Sequence, residues 1–123
     1  MKYTDELATS TSTATTETAC TGSPYSPLTN GRLVKVEVAF AGTAATSLLE
    51  GGYVKLSCPL WGVDMYVPFA GHGLRTVPVG AAVEIASKEC DLPLKTGVPV
   101  TIVILHKVTP VTPIMHIYGD IVA

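Results

Sequence analysis

Residues 33–40 read LVKVEVAF, with Val34, Val36, Val38 and Phe40 on one parity and Lys35 and Glu37 on the other. A side-chain period of two belongs to an extended backbone, whose successive Cβ atoms point to opposite faces. The segment reads as a half-buried strand, and the same period recurs downstream. Tyr53 to Cys58 sets Val54, Leu56 and Cys58 inward against Tyr53, Lys55 and Ser57. Asp64 to Phe69 places Met65, Val67 and Phe69 on one face, and Pro68 restricts that strand to a sheet edge or a bulge. Arg75 to Ile85 keeps Val77, Val79, Ala81, Val83 and Ile85 in phase as two short strands kinked at Pro78 and Gly80, and Cys90, Leu92 and Leu94 continue in another. Val98 to Val108 is the most apolar segment and is predicted to be central and buried on both faces. Ile114 to Val122 alternates Met115, Ile117 and Ile121 against His116, Tyr118 and Asp120. The helical signal is confined to one short turn at Ser47-Leu48-Leu49-Glu50.

About eight short strands separated by turn signals predict an all-β chain, an antiparallel β-sandwich. Eight strands fit a jelly-roll-like arrangement better than a seven-stranded immunoglobulin-like one. Ahead of them, Thr9 to Ser26 reads TSTSTATTETACTGSPYS, a tract of small and β-branched residues whose one charge is Glu17. It has no amphipathic period to build a core, and threonine favours extended backbone over helix. Pro24, Pro27 and the turn pair Asn30-Gly31 close it. Residues 1–30 are therefore expected to be an extended Thr/Ser-rich N-terminal arm and 31–123 the sandwich domain. Tyr3, Leu7, Thr13, Thr16, Cys20 and Tyr25 are the arm residues expected to touch another chain. Deleting residues 1–26 should then leave a folded domain with weakened assembly, and an arm packed only on its own domain would remove strand donation from consideration.

The chain of 123 residues is 47% apolar but only 15% charged, with a net charge of −2 and a mean hydropathy of +0.40. Average proteins carry about 25% charged residues, so this surface is either covered by Thr and Ser or covered by other chains. Its eight Lys and Arg are scattered singly, and direct nucleic-acid binding, which needs a basic stripe, is not expected. No apolar run has the length of a signal-peptide core or of a membrane-spanning helix. The chain contains no Gln and a single Asn, with nine Pro, a depletion reported for thermophile proteins, although the low charge lacks their ion-pair networks.

No residue is predicted to be catalytic, to bind a cofactor or to ligate a metal. His72, His106 and His116 share no ligand spacing. Cys58 and Cys90 lie on apolar strand phases, as small core residues or alternatively as a core disulfide, whereas Cys20 is by default free and covered, and is the better candidate of the three for a link to another chain. Glu84, Glu89 and Asp91 read as solvated strand ends, and Gly71-His72-Gly73 is too short to cradle a phosphate. Trp61, Tyr66 and Phe69 could line a sugar or peptide groove, although core and edge packing accounts for them more simply.

An apolar sandwich of about 100 residues behind a small-residue arm resembles, in architecture, the single jelly-roll capsid proteins and small β-sandwich decoration (cement) proteins of viruses. The resemblance rests on no motif and transfers no residue roles. It implies a non-enzymatic structural subunit of a virion, a homo-oligomer (trimer or higher) joined to copies of itself, and to another shell or lattice protein, through the arm and the sheet edges. The arm's lack of basic residues favours a decorating role over genome contact. The alternatives are an extracellular filament or surface-layer subunit that pairs by a donated strand, and a carbohydrate-binding β-sandwich.

Overall fold

The computed structural model describes residues 1–10, 16–41, 52–69, 82–105 and 114–123. Eight strands appear in chain order: β1 (Lys2–Ser10), β2 (Thr18–Ala19), β3 (Gly31–Ala41), β4 (Tyr53–Ser57), β5 (Met65–Pro68), β6 (Ala82–Leu94), β7 (Thr101–Leu105) and β8 (Ile114–Val122). They form two antiparallel four-stranded sheets, sheet A in the order β1-β8-β3-β6 and sheet B in the order β2-β7-β4-β5. The partners are nested along the chain: β1 with β8, β2 with β7, β3 with β6, β4 with β5. Alternate pairs fall into opposite sheets, so the chain crosses from one layer to the other at every connection except β4–β5.

The period-two segments place the core. Val54, Leu56 and Cys58 of the β4 region, Met65, Val67 and Phe69 of the β5 region, and Met115, Ile117 and Ile121 of β8 are all buried, as their parity predicts. Val100, Ile102 and Ile104 face the same core, with β7 in the interior of sheet B as expected, but β7 is not buried on both faces, because no layer covers Thr101 and Val103 fully on the outer side. Pro68 lies on an edge strand, where a residue without an N–H costs no ladder bond.

Three further expectations change. In β3 the buried residues are Leu33, Val36 and Val38, not Val34, because the pairing register slips between Leu33 and Lys35 against both neighbours. Such a bulge turns the following residues over by one position. The strands expected to end at Ile85 and to begin near Cys90 are continuous as β6, with Lys88 and Glu89 in the ladder opposite Val36 and Lys35. The expected strand between Arg75 and Ala81 and the helical turn at Ser47 to Glu50 lie outside the described residues.

The third change concerns the first thirty residues. β1 runs along β8 of its own chain from Lys2↔Val122 to Ser10↔Met115, and β2 pairs β7. The eight strands thus include two from the tract expected as an arm. Thr9 and Thr21 exchange both backbone bonds, at 3.0 and 2.8 Å, which stitches sheet A to the β2 segment. Beyond β2 the chain returns to β7 at Tyr25↔Val100. Between these contacts it turns at Gly22, whose φ of 93° is a left-handed conformation suited to glycine. There the Ser23 hydroxyl accepts the Ile102 N–H at 2.9 Å, so a side chain fills the gap left in the ladder. Leu7 inserts beside Gly119, where an added Cβ would lie 2.9 Å from Leu7 Cδ1 and 2.8 Å from Leu33 Cδ1.

Candidate functional site

The expected arm contacts are distributed by this docking. Leu7, Cys20 and Tyr25 are buried in the core of their own chain. Tyr3 is partly buried against that core, its hydroxyl 3.1 Å from Thr29 Oγ1. Tyr25 donates to Asp5 Oδ2 at 2.7 Å, and burial, then this carboxylate, pushes the phenol's pKa up. Thr16 is exposed, with its carbonyl accepting the Thr18 hydroxyl at 3.0 Å. Thr13 lies outside the described residues.

The three cysteines are free thiols, including the Cys58–Cys90 pair considered for a disulfide. Cys58 is buried just after β4 in sheet B, whereas Cys90 sits in sheet A with its thiol 3.3 Å from the Leu33 carbonyl, which it meets as a donor. Burial raises the Cys20 and Cys90 thiols to about 11. A thiol so shifted holds little thiolate at neutral pH and is a poor nucleophile.

The two sheets present different faces to solvent. Outward positions of sheet A carry Glu6 on β1, Tyr118 and Asp120 on β8, Lys35 and Glu37 on β3, and Glu89 and Asp91 on β6. Lys35 and Glu37 pair at 2.9 Å, Arg32 pairs with Asp91, and Thr4 donates to Asp120 at 2.7 Å. His116 Nδ1 lies 3.4 Å from Glu6 Oε2, and the imidazole stacks on Tyr118. This is an ordinary solvated face. Among the described residues no three His, Cys, Asp or Glu gather as a metal site. His72, His106, the loop Gly71 to Gly73 and the Glu84 side chain lie outside what is described.

Sheet B is nearly free of charge on its outer face. One row across it reads Ala19, Val103, Lys55, Tyr66, and the next includes Tyr53 beside Pro68. Its described charges gather around Lys55: Lys55 Nζ lies 3.0 Å from Glu17 Oε1 and is acted on by the exposed Asp64 beside β5, while the Tyr53 hydroxyl donates to Glu17 Oε2. These two donors, Tyr53 first, hold the Glu17 carboxyl below its usual range, and the same carboxylate raises the Tyr53 phenol and the Lys55 ammonium. The Tyr66 ring meets Tyr53 edge-on, at 5.0 Å and 76°.

Of the three aromatics considered for a groove, Trp61 and Phe69 are buried, and only Tyr66 is open. The Glu17–Tyr53–Lys55 cluster was not singled out in the sequence. Its one available signal is that Glu17 alone breaks the uncharged tract, since the pairing of residue 17 with strand β4 joins positions far apart in the chain.

The end of the sandwich that holds Lys2, Val122, Arg32 and Pro93 is closed by three connections. Asn30 Oδ1 accepts the Thr96 N–H at 2.9 Å, tying β2–β3 to β6–β7, and Trp61 Nε1 donates to the Pro93 carbonyl at 2.8 Å, tying in β4–β5. Leu28, Leu60, Val63 and Val122 protrude there. Except for Tyr66 and Met1, they are the large apolar side chains exposed among the described residues.

No helix among the described residues is long and apolar enough to cross a membrane. Compared with family models, with curated proteins and with solved structures, the chain matches none.

Proposed function

We propose that the chain is a structural subunit of a virus shell, a capsid or capsid-decoration protein built as a jelly roll, that associates with copies of itself and with a neighbouring shell protein. The nested pairing of β1 with β8, β2 with β7, β3 with β6 and β4 with β5 carries this reading. A hairpin of four such pairs, rolled so that alternate pairs face each other, is the connectivity that makes a jelly roll, and capsid proteins are among its principal users. Fold alone does not give function, so the surface must also fit.

The β5 and β6 edges are poor candidates for contact. The Tyr66 carbonyl on β5 accepts Lys88 Nζ at 3.2 Å, Pro68 has no N–H, and β6 carries Lys88, Glu89, Asp91 and Pro93, the devices by which edges resist pairing. With β1 lying on its own β8, strand donation is also disfavoured, and the filament reading loses its main support. The closed end bearing Leu28, Leu60 and Val63 takes over the role first given to the arm. Apolar tips on a hydrogen-bonded platform suit a preformed contact.

Light scattering on the purified chain tests the reading. A trimer or larger particle is expected, and Val63→Asp with Leu28→Asp should shift it toward monomer while leaving the melting temperature nearly unchanged. A monodisperse monomer at high concentration, unaltered by the two substitutions, would overturn it.

A further inference from the structure

We propose that the outer face of sheet B binds a neutral carbohydrate chain, with a pyranose ring stacked on Tyr66 and two neighbouring hydroxyls of the sugar held by Glu17 and Lys55. This lies beyond the assembly reading and does not depend on it.

Strand register assembles the site. Lys55 stands directly opposite Tyr66, and Tyr53 opposite Pro68, two positions along the same face. Across the other flank of β4, Lys55 is opposite Val103, which is opposite Ala19. Short side chains therefore floor the middle of the face, with an aromatic ring on one side and the Glu17 carboxylate on the other. Tyr66 is 43% exposed, so part of its ring is open to a ligand. Its T-shaped contact with the Tyr53 ring braces its orientation.

The polar groups are fixed but not saturated. An ionised carboxylate offers about four lone-pair positions and an ammonium three N–H donors. Glu17 uses two, on Tyr53 and Lys55, and Lys55 uses one on Glu17. One sugar hydroxyl can therefore donate to Glu17 while its neighbour accepts from Lys55. Because the two side chains already hold each other, little side-chain freedom remains to be lost on binding. The lowered pKa of Glu17 keeps it an acceptor at neutral pH.

Charge and size select the ligand class. Among the described residues Lys55 and, at the β5 edge, Lys88 offset Glu17 and Asp64, so an anionic or cationic ligand meets favourable and unfavourable charges together. Four strands spaced about 4.8 Å apart, over five residues of about 3.3 Å, span roughly 300 Å². A stable protein partner needs about 800 Å² per side, whereas a few sugar units fit the smaller face.

Nuclear magnetic resonance titration of the full, nitrogen-labelled chain with cellohexaose, xylohexaose and mannohexaose provides the test. At least one should give saturable amide shifts, with a dissociation constant on the order of 1 mM, confined to residues 17–19, 53–57, 65–68 and 101–103. Tyr66→Ala should weaken that binding about tenfold and Lys55→Met comparably, while Tyr66→Phe retains it and all three variants keep the wild-type particle mass. No saturable shift with any of the three sugars at about 20 mM, or undiminished binding by Tyr66→Ala, would overturn the proposal.

Discussion

Ser23 does with a hydroxyl what the backbone of β2 cannot do where it turns away from β7. Its Oγ takes the Ile102 N–H, on a residue whose side chain is fully buried. Ser23→Ala removes the acceptor of this part-buried bond. An unsatisfied buried N–H costs about 1–3 kcal/mol, and a loss of that size is expected in urea unfolding, with Ser23→Thr recovering part of it. Glu17 makes a second prediction at this scale. Its pKa is lower in the folded chain than its ordinary value of 4.5, so its contribution to stability is full above that value and disappears as pH falls through the lowered one. Glu17→Gln should therefore lower the unfolding midpoint at neutral pH, and the difference from wild type should shrink as the pH is taken below 4.5 and through the lowered value. A difference that persists in acid would mean that the carboxylate's charge is not what matters.

At the scale of the element, β1 and the 16–30 segment belong to the sandwich through few but central residues. Leu7 fills the space that Gly119 leaves beside Leu33, and Leu7→Ala is expected to cost about 2–4 kcal/mol. Deleting residues 1–26 takes away Leu7, Ala8, Cys20 and Tyr25 from the core at once. The expected outcome is loss of the cooperative thermal transition, not the folded remainder that an independent arm would leave.

This segment was the hardest to read from sequence, for identifiable reasons. The register shift between Glu6 and Ala8 makes Leu7 and Ala8 consecutive buried residues, which erases the period of two. Ser10 and Cys20 fill core positions with side chains too small to register as an apolar pattern. The same effect displaced Val34 by Leu33 in β3. Where strands run without a bulge, in β4, β5 and β8, parity alone located every buried residue named. Tyr66 was legible as an edge aromatic, but its partners Lys55, Tyr53 and Glu17 become neighbours only through strand pairing. A single sequence carries no signal for that.

For the whole molecule, the burial of the core predicts chemical silence. Cys20 and Cys58 are buried, and the thiols of Cys20 and Cys90 are raised to about 11. A thiol three units above the working pH has roughly one part in a thousand as thiolate. The native chain should therefore react only slowly with a thiol reagent at about pH 8, and three equivalents should appear at once in denaturant. Rapid labelling of one thiol in the native chain would show a sandwich that opens readily. The nested pairing also has a consequence for how the molecule is made. β1 emerges from the ribosome first, but its ladder partner β8 emerges last, with β2 through β7 between them. Sheet A has no interior strand next to β1 until residues 114–122 have been synthesised. Until then Leu7 and the β8-facing edge of β1 lack their native partners, an exposure that low-contact-order folds avoid.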